Sequence, residues 1–358
     1  MAKVSFNNTQ RVFYPSLKKS VDHYFISNGI KKTGNWKLYL KALILFPVAI
    51  ATYCFLLFGT YSAVAGILLS FVLGIALVSI AFNVMHDACH GSYSSKKWVN
   101  DLMSYTMNAL GSNSFIWKVK HNVVHHTYTN VDGIDDDIAK NPALRMAPTQ
   151  RWVAAHRYQH VYMFVLYALS TILWLLMTDF IKYFNKKIVV TEMKMTTKDH
   201  IIFWVSKTLY LFFYAAVPIF FVGWGAWLTG FLIVHVTMGT ILSIVFQLAH
   251  VVEKTGFEFA AEEAKVIDTD WAVHELKTTA NFAPRNKVIS WFVGGLNYQV
   301  EHHLFPKISH VHYPAISTIV RAECRKFGIP YHYYSKMTDA IASHVRVMKK
   351  LGQKEVAA

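Results

Sequence analysis

The 358 residues are 54% hydrophobic and only 16% charged, with a mean hydropathy of +0.28, which excludes an ordinary soluble domain and a disordered chain. The formal charge of +15, from 36 Lys and Arg against 21 Asp and Glu, would suggest nucleic acid in a soluble protein; in so apolar a chain it fits basic loops on one face of a membrane, with attraction for anionic headgroups or an acidic partner. Cys54, Cys89 and Cys324 form no CxxC pair, so a disulfide framework is excluded and a reducing compartment is expected.

The chain opens on MAKVSFNNTQRVFYPSLKKS, a polar and basic stretch without the pattern of a cleavable leader. Apolar runs of about 20 residues, the length of a membrane span, follow at 38–58 and 62–85, separated by Gly59-Thr60-Tyr61. A second pair occupies 201–222 and 226–249, around Gly223-Trp224-Gly225. Neither turn carries a charge, whereas Lys31, Lys32, Lys37, Lys96, Lys97 and Lys254 crowd the opposite ends. Both hairpins are therefore expected to keep their charged ends on the cytosolic side.

Residues 161–180 are also apolar and long enough to cross. Arg145, Arg151 and Arg157 precede them, and Lys182, Lys186 and Lys187 follow, so an in-plane or re-entrant helix keeps both basic flanks on one side. Beyond Pro314, Ile316, Ile319, Val320 and Phe327 share one helical face, and Met337, Ile341, Val345 and Met348 repeat the pattern. The expected fold is an all-α integral membrane protein, a single domain over 1–358. Four transmembrane helices in two hairpins carry a cytosolic helical cap built from 86–200 and 250–358.

Eighteen histidines are present, and seven fall in three clusters just beyond expected spans. HDACH places His86 and His90 four apart, HNVVHH places His121 and His125 four apart with His126 beside them, and QVEHH ends at His302 and His303. On α-helices these spacings put paired imidazoles on one face, with His126 about 100° round from His125. Seven imidazoles exceed what one zinc ion needs, so a polynuclear metal site at the membrane surface is indicated. His235 lies mid-span, too deep to join it, and reads as a helix–helix hydrogen-bonding group. His156, His160, His310 and His312 read as interface or surface residues. A metal transporter would need ligands inside the spans, where only His235 lies.

In order, spacing and spans, nearly the whole chain resembles the membrane fatty acid desaturases, whose three histidine boxes bind two irons. HDACH looks like the first box, HNVVHH the second and QVEHHLFP the third, and the stretch HHTYTNVDGIDDDI strengthens the likeness. The resemblance implies iron ligands at His86, His90, His121, His125, His126, His302 and His303, with His250 of FQLAH as an eighth. Gln299 stands where many desaturases carry a third-box histidine, which is similar to the front-end group. That group inserts a double bond between an existing one and the carboxyl end. Asp87, Asp135, Asp136 and Asp137 are candidates to orient ligand rings, and Gln299 a metal-bound water or a neighbouring histidine.

The implied substrates are O2 and a fatty acyl chain on CoA or a lipid. No Gly-rich dinucleotide fingerprint and no HPGG haem motif is present, so electrons are expected from an external donor, a ferredoxin or a cytochrome b5-type carrier. The expected location is a bacterial inner membrane, with the endoplasmic reticulum as the alternative. A hydroxylase of alkyl chains, sphingolipids or carotenoids on the same di-iron scaffold is the competing reading, because both reactions begin by abstracting hydrogen from an unactivated carbon.

Overall fold

A computed structural model describes residues 4–7, 12–139, 142–259 and 266–354. The described chain is mostly helical, and ten helices carry the architecture: α1 (Phe13–Ser27), α2 (Trp36–Phe58), α3 (Ala63–His90), α4 (Ser114–Lys118), α5 (Ala154–Asn185), α6 (Thr197–His250), α7 (Trp271–Thr278), α8 (Gln299–Leu304), α9 (Tyr313–Lys326) and α10 (Met337–Leu351). Further short helices and turns connect them. Four pairs of two-residue strands depart from an all-α chain. One of them, Val131–Asp132 beside Glu258–Phe259, ties the loop after the second histidine cluster to the segment after His250.

Helix starts follow capping chemistry. The Asn35 side chain accepts from Lys37 N at the head of α2, and Ser62 Oγ accepts from Ala65 N at the head of α3, each satisfying an N–H that has no partner in the first turn. Four helices, α2, α3, α5 and α6, are long and apolar enough to cross a membrane. Phe220 is 82% exposed, Leu43 72% and Val64 67%; so much apolar surface on spanning-length helices is at home in lipid.

Two features bear on the sequence expectation. Residues 201–222 and 226–249 lie in one helical run, α6, interrupted at Gly223, whose φ of 77° and ψ of 166° are not helical. A side chain would strain that backbone, so glycine permits the break. Across it, Trp227 Nε1 donates to Tyr214 O at 2.8 Å, and Tyr210 Oη and His235 Nε2 lie 2.8 Å apart. The second is α5, which extends well beyond 161–180 at both ends and itself has the length and composition of a span.

Leu38, Leu45, Leu73, Leu77, Val234 and Met238 form the core between α2, α3 and α6. A separate core lies beneath the third histidine cluster. There Phe13, Leu17 and Val21 of α1 pack with Leu304, Ile316 and Val320. The face expected of α9 is thus covered by a helix within the polar start. Its own signal was an i, i+4 series through Phe13, Leu17, Val21 and Phe25, all buried.

Helices α5 and α6 touch backbone to backbone. A Cβ on Gly239 would stand 2.6 Å from Ala168 O and 2.7 Å from Tyr167 O, and neither carbonyl can swing aside. Gly239→Val is therefore expected to destabilise the fold by about 1–3 kcal/mol, read as a lower thermal midpoint in detergent. Gly225→Ala, where a Cβ meets nothing within 4 Å, is the control.

Candidate metal centre

The first cluster is carried by the inner end of α3. A π-helical turn over Ala81–Met85 precedes His86–His90, and His86 N donates to Ala81 O, five residues back. The second is carried by α4, capped by Asn113, whose side chain accepts from Ile116 N. This helix runs into another π-turn, Val119–His125. The α-helical expectation for HNVVHH is therefore corrected. In a π-turn the i+5 residue, not i+4, falls over residue i. His126 N donates to His121 O at 3.0 Å, and the two Nε2 atoms stand 3.2 Å apart. Asn122 Nδ2 donates to Cys89 O at 2.9 Å and fastens the second cluster to the first.

Helix α8 brings His302 and His303 against both, and the last residue of α6 is His250. The rings fall into two neighbouring groups: His86, His90, His121 and His302 in one, His125, His250 and His303 in the other, with ligand atoms in each within 4.8 Å of one another. His126 reaches His302 and His303 on the same criterion and bridges the groups. All eight rings are buried. Seven of them hold a buried ring nitrogen with no hydrogen-bond partner: His86 Nδ1, His90 Nε2, His125 Nε2, His126 Nδ1, His250 Nε2, His302 Nε2 and His303 Nε2. Buried polar atoms are rarely left this way, and a neutral imidazole lone pair is what a transition metal takes. The residues fit a pair of metal ions.

Four of the opposite nitrogens are held by groups outside the boxes. His303 Nδ1 is 2.8 Å from Glu275 Oε2, His125 Nδ1 is 3.1 Å from Asp135 Oδ2, His302 Nδ1 is 3.1 Å from the Tyr313 hydroxyl, and His250 Nδ1 is 3.3 Å from Thr278 O. Such bonds fix the tautomer and aim the free nitrogen. Burial, reinforced by neighbouring rings, holds His121, His126, His302 and His303 well below the usual imidazole range. Burial acts the same way on His125, but Asp135 and Asp137 outweigh it and raise its pKa. Burial pushes the Glu275 carboxyl well above its usual range. A cation on the far side of the His303 ring would supply the positive charge that Glu275 lacks.

Of the acidic candidates, Asp135 alone lies within hydrogen-bonding distance of a box ring. Asp137 Oδ2 stands 3.6 Å from His125 Nδ1 and is ion-paired with Lys120, while Asp136 is ion-paired with Lys182 and lies 3.9 Å from Lys120. Asp87 turns away from the box rings. Its Oδ2 accepts from Ser309 Oγ at 2.7 Å and lies 3.0 Å from His310 Nδ1, whereas Oδ1 stays 3.9 Å from His86. Gln299, buried, lines a cavity of about 720 Å³ together with His86, His121 and His302. His235 joins neither group and bonds to Tyr210 and Thr171 instead.

The surface reading of His156, His310 and His312 is corrected, since all three are buried. His310 braces Asp87, His312 Nε2 meets Thr33 O at 3.1 Å, and His156 Nε2 meets Pro142 O at 3.0 Å. His160, half-buried, stays outside the metal groups. Glu275, Thr129, Tyr313 and Trp271 were not legible as site residues. Thr129 Oγ1 donates to Glu275 Oε2 at 2.9 Å, and Trp271 Nε1 donates to His126 O at 3.1 Å. Glu275 is 28 residues from His303, a separation that no helical or strand period marks.

Known proteins are similar to this chain over most of its length. The family model described as "Fatty acid desaturase" matches residues 61–335, a stretch that includes all eight histidines. The chain is 36% identical over 352 residues to the sn-1 linoleoyl-lipid 6-desaturase of Synechocystis sp., covering 96% of each protein. It is 35% identical over 358 residues to the protein of the same name from Arthrospira platensis, covering 98% of this chain and 95% of that one. It is also 35% identical over 352 residues to the acyl-lipid (8-3)-desaturase of Physcomitrium patens, covering 96% of this chain and 72% of that one. At this identity and coverage, the chain belongs to the fatty acid desaturase family and is a membrane-bound desaturase.

Proposed function

We propose that the enzyme is a front-end acyl-lipid desaturase working through a di-iron centre held by His86, His90, His121, His125, His126, His250, His302 and His303. The observation that carries this is the convergence of seven buried, unpartnered ring nitrogens from four segments of chain. Front-end action is supported by Gln299 in the third box and by the names of the two cyanobacterial relatives. In the reaction, O2 takes two hydrogens from adjacent methylenes and, with two electrons and two protons from outside, leaves as two waters. When bound, the irons supply the oxidising power that O2 needs to attack unactivated C–H bonds.

The protein's own contribution is to position the chain and exclude water. The 720 Å³ cavity runs beside His86, His121 and His302, with Phe82, Trp117 and Leu110 among its apolar walls and Lys182 and Lys187 among its polar ones. An acyl chain laid along the apolar walls meets the box rings, while the basic groups suit a polar headgroup. Glu275, Asp135, Tyr313 and the Thr278 carbonyl hold ring nitrogens in the orientation that leaves the other lone pair inward. Gln299 shares the wall with His302 and is suited to hold a water or steady that ring.

The same reading places two hairpins, 38–58 with 62–85 and 201–222 with 226–249, beneath a cytosolic cap. The contacts across Gly223 support the second hairpin. For α5 an in-plane or re-entrant path is supported by its flanks, which both meet the metal side: Tyr162 Oη donates to Ala143 O, and Lys182 pairs with Asp136. The basic cytosolic face suits an acidic donor, ferredoxin or a cytochrome b5-type carrier, in a bacterial inner membrane.

Lipid profiling of an expressing host fed mono- and diunsaturated chains tests this reading. A new double bond on the carboxyl side of an existing one is expected, and a hydroxylated chain would overturn it. His302→Ala should abolish the product. Glu275→Ala should weaken iron retention about 10–100-fold, measured as metal content after dialysis against a chelator. Purified wild type holding zinc in place of iron would contradict the assignment.

A further inference from the structure

A second cavity, of about 340 Å³, lies between α2, α3 and α6, and the reaction as described makes no use of it. Leu73, Leu77, Tyr214 and Phe231 are among its walls. It shares two residues with the cavity at the box histidines, Leu110 and Met238. Thr171 faces the metal-side cavity, and His235 and Tyr210 face the second one. These three groups form the stiff part of the wall between them. The Thr171 hydroxyl donates to His235 O at 3.0 Å, so at 3.1 Å its oxygen is left to accept from His235 Nδ1–H. Nε2 then accepts from the Tyr210 hydroxyl at 2.8 Å, and every polar group of the ring is satisfied.

Met238 and Leu110 form the yielding part. Methionine is unbranched, with three rotatable side-chain bonds, and adapts to what packs against it. Met238 also lies on the way into the membrane, 12 residues before His250 and so about 18 Å along the helix from that ring.

We infer that the second cavity receives the methyl end of the acyl chain and that Met238 and Leu110 set the longest chain accepted, an inference that rests on the acyl desaturase reading. Continuity with the reaction cavity is the argument for this occupant. An acyl chain arriving from a bilayer gains no hydrophobic free energy by exchanging lipid tails for apolar side chains, so burial alone does not sort chains by length. Space does. A chain that outruns the first cavity is accepted only if Met238 yields and the second cavity is free.

Gly230 offers a way to fill the far cavity. A Cβ there meets only Ser70 Oγ, at 3.4 Å, and the position lies about 12 Å beyond Met238 along α6. Wild type, Gly230→Leu and Met238→Ala are compared on a series of acyl chains of increasing length that share headgroup and existing double bonds. Scoring the ratio of long- to short-chain conversion cancels differences in yield and folding. Gly230→Leu is expected to lower this ratio roughly tenfold, the usual penalty for a misfit of one or two carbons, and Met238→Ala to raise it. Ratios that superimpose on the wild type's would overturn the inference. So would an unchanged ratio in Gly230→Leu accompanied by loss of a co-purifying phospholipid, which would assign the cavity to a resident membrane lipid. A wild type that retains iron yet converts no chain in the series would instead overturn the acyl desaturase reading beneath it.

Discussion

The structure is arranged around buried imidazole nitrogens for which the protein itself supplies no hydrogen-bond partner. A buried unsatisfied polar atom costs about 1–3 kcal/mol. Seven such nitrogens in one site therefore cost on the order of 10 kcal/mol, comparable to the roughly 5–15 kcal/mol by which a whole protein is stable. A fold does not carry that burden without a return. Metal coordination is of the right size to offset it, since zinc bound to small domains contributes about 10–16 kcal/mol. A metal bound there would therefore stabilise this arrangement.

The surrounding elements make sense as devices for bringing that cluster about. Helices α3 and α6, both long and apolar enough to cross a membrane, end on His90 and His250 and deliver these rings to the centre. Soluble-type packing does the rest. Helix α1 and the α9 face clamp α8 from below, and Asn130 reaches from the second-box loop to the His250 and Gly256 carbonyls. The outward sides of His303, His125, His302 and His250 are fastened in turn, to Glu275, Asp135, Tyr313 and a backbone carbonyl. Ligand geometry therefore depends on residues scattered between Asn130 and Tyr313.

Much of this was legible in the sequence because membranes impose long, unmistakable periods. The segments 38–58 and 62–85 correspond to α2 and α3, and the break near Gly223 was visible as a charge-free turn. The box histidines were legible because repeated close spacing of a rare ligand is hard to obtain otherwise. His250 was reached by counting ligands, and it stands beside His125 and His303. What stayed hidden depends on contacts between distant segments. Glu275 carries no periodic mark, and the burial of His310 follows from Asp87, 223 residues away. The amphipathic start was overlooked because its charged residues, Lys18, Lys19 and Asp22, dominate its composition while Leu17 and Val21 do the packing.

The π-turn through the second box has a consequence for how such chains can change. A π-turn holds one residue more per turn than an α-helix would, so the meeting of His121 and His126 depends on that extra residue rather than on an α-helical face. Deleting a single residue between Val119 and His125 would restore ordinary winding and rotate one of the two rings out of the centre. Exchanging the side chains of the turn other than its histidines would leave the ring positions in register. The box therefore tolerates substitution far better than it tolerates any change of length, and its spelling is less informative than its count.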